Sequence, residues 1–279
     1  WLFYQSLAGI WPADMAAEDR EGLRGLSERL EAYMLKVVRE AKLRTSWTAP
    51  ATDYENVVIG FVRGALSRRD FLDDFRRRCA KLWIAGAVTS LSQLTVKIGA
   101  PGVPDIYQGT EYWDLSLVDP DNRRPFDFGS RQIAMGEIDA AAPGDLLRDW
   151  ISARPKLRLM KAGLNFRREH ADLFGAADYI PLEVTGRQAE HVVAFARRHG
   201  GEWLILVATR LPLALLDGDL PLVDAAAWGD TRVLLPEAAH GIAFRDIVFG
   251  GAPVTGSELA VCGTLARFPV ALLYGGGAG

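Results

Sequence analysis

The chain has little of what several common protein classes require. Its 279 residues include only two cysteines, Cys79 and Cys262, and no Cys-x-x-Cys pair, so neither a disulfide framework nor a zinc site is expected. Cys79 lies in a helical pattern beside Arg76–Arg78, where we expect it to pack between helices rather than act as an activated thiol. The four histidines are scattered and none accompanies a Gly-x-Ser-x-Gly turn, which argues against a hydrolase triad.

An excess of charge and long apolar runs are also missing. The chain has 32 basic and 35 acidic residues, interspersed, which gives no electrostatic footprint for nucleic acid. No apolar run approaches the length of a membrane span, and the first residues lack the basic segment and cleavage site of a signal peptide. We therefore predict a soluble, cytoplasmic chain that binds neither nucleic acid nor membrane. No metal or cofactor is predicted, since no P-loop or ligand cluster is present.

What the sequence does contain is helical periodicity over its first hundred residues. Apolar residues recur at helical spacing, which predicts helices over 2–10, 14–43, 52–66 and 70–98. Thr52 followed by Glu55 fits a capping box at the start of the third helix. Gly99 and Pro101 are expected to end the fourth.

The period then changes twice. Val103–Tyr107 is short, apolar and flanked by Gly and Pro, which predicts a buried strand. A further helical region covers 145–173, with Pro155 starting a new helix inside it. From Tyr179 onward, short apolar runs alternate with Gly, Pro and Asp, as in an antiparallel β-sandwich. We thus predict an α+β multidomain chain with segments at 1–98, 99–178 and 179–274 and a disordered tail at 275–279.

The residues that could carry chemistry concentrate between Gly99 and Phe128. This stretch mixes carboxylates, amides, arginines and aromatic rings, which is the combination that holds sugar hydroxyls and covers the apolar face of a sugar ring. Alternatively, Asp119, Asp121, Arg123 and Arg124 form a salt-bridged turn that only shapes the loop. Asp105 lies inside the predicted strand, so we expect an arginine or backbone amides around it.

A resemblance is carried by separated motifs that occur in one order. Gly102-Val-Pro-Asp-Ile-Tyr-Gln-Gly-Thr-Glu111, followed by Asp119-Pro-Asp-Asn-Arg-Arg-Pro125, resembles the eighth-strand region of the α-amylase superfamily, glycoside hydrolase family 13. The segments that resemble one branch, the maltooligosyl trehalose synthase family, are Leu2–Pro12, Lys42–Trp47, Phe166–His170 and His191–Arg197.

The resemblance implies a retaining, intramolecular transglycosylation. In that family the reducing-end α-1,4 bond of a maltodextrin becomes an α,α-1,1 bond, on a (β/α)8 barrel with two catalytic carboxylates and a supporting Asp. Those residues lie on earlier strands, the last in a Thr-His-Asp motif that this chain lacks. The chain begins at Trp1 without Met. We therefore expect a C-terminal fragment: helices, the last β/α unit of the barrel and a β-sandwich. We expect it to lack activity without the N-terminal barrel portion.

The same resemblance assigns no catalytic residue to this chain, only contacts to the maltodextrin substrate. The predicted substrate-binding residues are Gln108, Glu111, Asp119, Asn122, Arg123, Arg124, Lys42, Arg44, Trp47 and Tyr54. For Trp47, a role as a staple between helices is equally compatible with the pattern. Two other functions stay open: another member of the superfamily, such as a hydrolase or a sucrose-acting transferase, and a non-catalytic module that binds glucan or docks a partner.

Overall fold

The computed structural model describes residues 1–276 and divides them into two compact units. The first unit contains Trp1–Trp83 and Asp114–Phe126, and the second contains Ile84–Trp113 and the chain from Asp127 onward. These bounds differ from the segments predicted at 1–98 and 99–178, because one long helix and the loop after it each contribute residues to both units. None of the helices within 1–276 has the length and apolar content needed to cross a membrane.

The first unit is helical, as the periodicity predicts. Its helices are α1 (Leu2–Ile10), α2 (Arg20–Ala41), α3 (Thr52–Leu66) and the first half of α4 (Arg69–Gly99). Asp19 caps α2 by accepting a hydrogen bond from the Gly22 amide (2.9 Å). The predicted capping box at Thr52 is wrong: the N-cap of α3 is Ala51, without a side-chain cap. Glu55 has stronger donors elsewhere, described below.

Aromatic and aliphatic side chains from all four helices form the core of the first unit. Trp11 stacks on Trp83 with ring centroids 6.3 Å apart, and the Trp83 indole donates to the Ala8 carbonyl (3.0 Å). Cys79 belongs to this core, and burial raises the pKa of its thiol. A raised pKa leaves little thiolate at neutral pH, which agrees with the predicted packing role.

The second unit combines short helices with two antiparallel sheets, as predicted for a β-rich C-terminal region. Its helices, besides the second half of α4, are α5 (Phe128–Glu137), α6 (Pro143–Arg148), α7 (Arg154–Glu169), α8 (Ala171–Gly175) and α9 (Val261–Thr264). Its strands are β1 (Asp178–Pro181), β2 (Val184–Thr185), β3 (Val192–His199), β4 (Glu202–Thr209), β5 (Arg232–Leu234), β6 (Arg245–Asp246), β7 (Glu258–Ala260) and β8 (Val270–Gly275). The larger sheet has the order β1-β3-β4-β8-β6, and the smaller has β2-β5-β7.

Strand β4 lies at the centre of the larger sheet, between β3 and β8, and both of its faces are buried. Trp203, Ile205 and Val207 face one core, which includes side chains of the smaller sheet. The alternate residues Leu204 and Leu206 face a second core, which α4, α7 and α8 cover. Burial on both faces explains why this run is continuously apolar instead of alternating. Gly275, predicted as the first residue of the tail, belongs to β8 and pairs with Trp203 of β4. Residues 277–279 of the predicted tail lie outside the described residues.

The segment Val103–Tyr107 departs from the sequence prediction. It belongs to neither sheet, and the Val103 side chain is 94% exposed rather than buried. Asp105 is also exposed, and the contact there is from the Lys97 ammonium to its backbone carbonyl (3.0 Å). The physical reason is that a strand needs neighbours to pair its N–H and C=O groups, and within residues 1–276 this segment has none.

A close helix–helix approach in the second unit gives a first testable prediction. A Cβ on Gly163 of α7 would lie 2.6 Å from Cδ1 and 2.9 Å from Cγ2 of Ile98 in α4. Gly163→Ala is therefore expected to lower the free energy of unfolding by about 1–2 kcal/mol through overpacking. Gly136→Ala in α5, where nothing lies within 4 Å, is the matched control and is expected to be neutral or stabilising. Equal urea midpoints for the two variants would contradict this packing.

Candidate functional site

Eight of the ten predicted site residues lie in the first unit, around helix α2. Basic side chains of this helix contact one loop and one helix: Arg29 and Lys36 contact the loop 114–126, and Arg39 contacts α3. Arg29 and Lys36 are seven residues apart, and Arg39 is one turn further on, so the three side chains lie on neighbouring parts of the helix surface. The helix therefore connects the two groups of predicted residues within one unit.

The loop 114–126 is organised around Asp121. Arg29 donates to both carboxylate oxygens (2.9 Å each) and to the Leu115 carbonyl (2.5 Å), while the Leu117 amide donates to Oδ2 (2.6 Å). The Asp121 and Arg29 side chains are only 13% and 17% exposed. Burial by itself would raise the pKa of Asp121, but the hydrogen bonds from Arg29 and Leu117 outweigh it and hold that pKa below its usual value.

The other predicted residues of this loop surround Asp121 at the surface. Arg124 donates to the Asp121 carbonyl (3.0 Å) and to the Ser116 hydroxyl (3.2 Å). Arg123 forms an ion pair with Asp119 (2.6 Å), and Asn122 is exposed beside them. The salt-bridged turn considered as an alternative is thus present, and it holds the polar ends of Asn122 and Arg123 at the surface.

The second group lies where α2 leads into α3. Lys42 ends α2 with a left-handed backbone (φ 54°). Glu55 accepts two hydrogen bonds from the Arg39 guanidinium (2.8 and 2.7 Å) and one from the Thr45 hydroxyl (2.5 Å). Thr45 also accepts from the Ala51 amide (2.9 Å), so the network joins both ends of the loop. These donors, Arg39 first, lower the pKa of Glu55 to about 2.

Two aromatic rings, those of Trp47 and Tyr54, lie beside arginines of this region. The Arg39 guanidinium lies 4.8 Å from the centre of the Trp47 ring, and Trp47 is 56% exposed. Arg44 lies 5.9 Å from the centre of the Tyr54 ring. Since Trp47 is largely exposed, it is not the staple between helices that the sequence left open. Its indole lies at the surface against Arg39, whose ion pair with Glu55 is largely buried.

Gln108 and Glu111 belong to the second unit. Gln108 is exposed, whereas Glu111 accepts a hydrogen bond from Arg131 (3.1 Å), with both side chains about four-fifths buried. The Arg131 guanidinium also stacks on Tyr112, 4.1 Å from the ring centre. Glu111 is therefore held in place by α5, the helix that carries Arg131.

Lys156 supports the same segment from α7. It is only 8% exposed, donates to the Tyr112 carbonyl (2.9 Å) and lies 5.8 Å from the centre of the Trp113 ring. The Trp113 indole donates to the Trp150 carbonyl (2.7 Å). The polar and aromatic residues 111–113 are thus fixed by basic side chains that lie 18 residues or more further along the chain.

The sequence did not predict the residues that hold the candidate site in place. These are Arg29, Lys36, Arg39, Thr45, Arg131 and Lys156. A single usable signal was the placement of Arg29 and Lys36 seven residues apart on an amphipathic helix, which only shows that they share a face. Chemically, the described site offers hydrogen-bond donors and aromatic faces. Its buried carboxylates, Glu55, Glu111 and Asp121, are each occupied by an arginine.

Comparisons with known proteins identify relatives of the chain. No family model matches the chain. A protein of Mycobacterium tuberculosis, named provisionally as a maltooligosyl trehalose synthase, is 33% identical over 244 residues, which are 86% of this chain and 29% of that protein. The structure of maltooligosyltrehalose synthase from Arthrobacter ramosus matches 98% of this chain and 32% of its own, with 35% identity and a TM-score of 0.77. A further crystal structure of maltooligosyl trehalose synthase has 25% identity and a TM-score of 0.72 over the same 98%.

The matched architecture, helices followed by antiparallel sheets, is the C-terminal portion of a larger enzyme. The chain is homologous to the C-terminal part of maltooligosyl trehalose synthases, and it spans less than a third of the length of these relatives. The predicted resemblance and fold class are confirmed.

Proposed function

We propose that the chain is the C-terminal part of a cytoplasmic enzyme of trehalose biosynthesis. This enzyme converts the reducing-end α-1,4 linkage of a maltodextrin into an α,α-1,1 linkage by retaining, intramolecular transglycosylation. The observation that supports the proposal best is 35% identity over 98% of the chain with a synthase of known structure. Retaining chemistry requires two carboxylates roughly 5 Å apart, one of them an acid and one a nucleophile. The buried carboxylates of the candidate site, Glu55, Glu111 and Asp121, are each paired with an arginine, so we assign both catalytic groups to the N-terminal portion.

In this proposal the first unit of the chain contributes part of the sugar-binding wall. Trp47 and Tyr54 offer ring faces to the apolar side of glucosyl units, and Lys42, Arg44, Arg123 and Arg124 offer donors to their hydroxyls. Asp119 and Asn122 supply acceptors, and in the second unit Gln108 is a separate candidate sugar contact, whereas the Glu111 carboxylate is paired with Arg131. A well-fixed wall matters for this reaction because water that reaches the glycosyl-enzyme causes hydrolysis instead of transfer.

The proposal is tested by assaying maltopentaose conversion with three samples: the full-length parent enzyme, this chain alone, and this chain mixed with the N-terminal portion. We expect a trehalose-ended product from the parent and none from the chain alone. Release of glucose or maltose by the parent, without a trehalose-ended product, would favour a different member of the superfamily. Product from the chain alone would show that it carries its own catalytic carboxylates.

Trp47 gives a prediction for the binding role. In the parent enzyme, Trp47→Ala is expected to raise KM for maltopentaose about fivefold, the loss of roughly 1 kcal/mol of ring stacking. Because Trp47 is 56% exposed, the urea midpoint should stay unchanged. Val57→Ala in α3 is the control, since Val57 lies in the same unit and its side chain is 71% exposed. A Trp47→Ala enzyme with unaltered KM would remove this residue from the proposed wall.

A further inference from the structure

The second unit contains a cavity of ≈ 270 Å³ that none of the predicted site residues line. It lies beside the end of β6, and its walls come from the turn after β6, from β8 and from the residues around α9. The lining includes one carboxyl, one guanidinium, one hydroxyl and aromatic rings, contributed by Asp246, Arg267, Thr264, Phe249 and Phe268. A cavity with this mixture is polar at specific points and apolar elsewhere, as small-molecule sites are.

Asp246 provides the acceptor of the cavity. Its carboxylate accepts a hydrogen bond from the Val248 amide (3.0 Å) and also interacts with the Phe249 and Leu272 amides, so about one of its roughly four lone pairs remains for a further donor. Burial raises the pKa of Asp246 to about 6, although the backbone amides and the charge of Arg267 oppose that rise. The carboxyl is therefore poorly solvated, and a ligand hydroxyl that donated to it would replace water it largely lacks.

Arg267 provides the donors. Its guanidinium lies beside the turn at Gly251. A Cβ on Gly251 would be 3.4 Å from Nη1 of Arg267, and the Gly251 backbone is left-handed (φ 106°). Glycine at this position thus keeps space beside the guanidinium and fits the turn without strain. Arg267 is exposed to solvent, so its N–H groups are available to a ligand at the rim of the cavity, and its charge acts to lower the pKa of Asp246.

The walls are aromatic. Phe249 and Phe268 meet edge to face, with ring centroids 5.0 Å apart, and Arg158 from α7 steadies Phe249 at 5.7 Å from its ring centre. Arg158 also donates to the Val248 carbonyl (3.1 and 2.6 Å), which fixes the turn that carries Phe249. The cavity is consequently held open by contacts that do not depend on a ligand.

We propose that this cavity binds one glucosyl unit of a malto-oligosaccharide. The choice of sugar rests on the proposed function, while the need for a neutral polyhydroxylated ring comes from the cavity itself. An anion would be repelled by Asp246 and a cation by Arg267, and an apolar ligand would cover the poorly solvated Asp246 carboxyl without giving it a donor. A hexose ring donates to the carboxylate, accepts from the guanidinium and lays its apolar face on Phe249.

Binding of maltose to the full chain, measured by calorimetry and by ¹H–¹⁵N chemical shifts, tests the proposal. We expect a dissociation constant of about 1–10 mM, with shifts at the backbone amides of the β6 turn and α9. Arg267→Ala is expected to weaken binding at least tenfold, the loss of about 1.5 kcal/mol of charged hydrogen bonds. Arg245→Ala is the matched control, because Arg245 precedes Asp246 in β6 and so points to the opposite face.

A second variant blocks the cavity independently, so that the test does not depend on Arg267→Ala folding correctly. Val254→Trp fills the cavity from its exposed rim, since Val254 is 39% exposed and its own hydrogen bonds to Phe244 (2.8 Å each) are made by the backbone. We expect this variant to abolish the shifts around the cavity. Maltose binding that survives both variants, or Arg267-dependent binding of succinate in place of maltose, would overturn the proposal. Conversion of maltopentaose by a Val254→Trp parent enzyme reports separately on the proposed function and is expected to persist.

Discussion

Asp121→Asn is expected to lower the free energy of unfolding of the first unit by about 3 kcal/mol. The substitution keeps the size of the side chain but removes its charge, which leaves the Arg29 guanidinium largely buried without a counter-ion. It also weakens the hydrogen bond from the Leu117 amide, so the loop 114–126 loses the centre of its hydrogen bonding. Urea unfolding followed by tryptophan fluorescence measures the effect, because Trp11 and Trp83 lie in the core of this unit.

Asp119→Asn is the matched control for this loop. Asp119 stands two residues before Asp121, but its ion pair with Arg123 is exposed, with the two side chains 52% and 70% accessible. Exposed ion pairs contribute little, so the control is expected to change the free energy of unfolding by less than about 0.5 kcal/mol. Equal effects of the two substitutions would show that Asp121 does not organise the loop.

The contrast between these two carboxylates illustrates what the sequence could and could not reveal. Asp119 and Asp121 occupy one motif, and the sequence predicts Asp119 as a substrate contact but Asp121 only as part of a salt-bridged turn. The difference arises from Arg29, which is 92 residues away from Asp121 in the chain. A contact of this separation leaves no local periodicity, and one sequence offers no other signal for it.

Secondary structure predicted from local residue spacing agrees with the fold where interactions between near neighbours in the chain determine it. The helical spacing predicted α1 and α4 to within one residue at each end, and the short apolar runs after Tyr179 predicted the antiparallel region that contains β3, β4 and β8. The capping box failed because Arg39 and Thr45 compete for the Glu55 carboxylate, and a bidentate guanidinium is a stronger partner than one backbone amide. The buried strand at Val103–Tyr107 failed because burial requires neighbouring strands, which no pattern within five residues can supply.

Glu55→Gln is expected to produce the second large effect, on stability and on its pH dependence. The pKa of Glu55 is about 2 in the folded protein and near 4.5 in the unfolded chain, because Arg39 and then Thr45 donate to the carboxylate only in the folded protein. A depressed pKa stabilises the fold fully above pH 4.5, and the contribution is lost progressively as the pH falls towards 2. The wild-type chain should therefore lose stability more steeply than Glu55→Gln between pH 4.5 and 2, and the two urea midpoints should converge there.

The same substitution reaches the candidate site through Arg39. In the variant an NH2 donor replaces one carboxylate oxygen, so the bidentate hydrogen bonds from Arg39 are broken and its guanidinium is free to move away from the Trp47 ring. The remaining amide oxygen is a weaker acceptor for Thr45, so the loop 42–51 is held less firmly. In the parent enzyme we expect a larger rise in KM than Trp47→Ala causes, because Arg44 and Tyr54 are displaced together with the indole. Asp53→Asn, an exposed acid in the same first turn of α3, is the matched control and should change neither quantity. Midpoints that stay parallel from pH 7 to pH 3 would place the Glu55 network outside the forces that hold this loop.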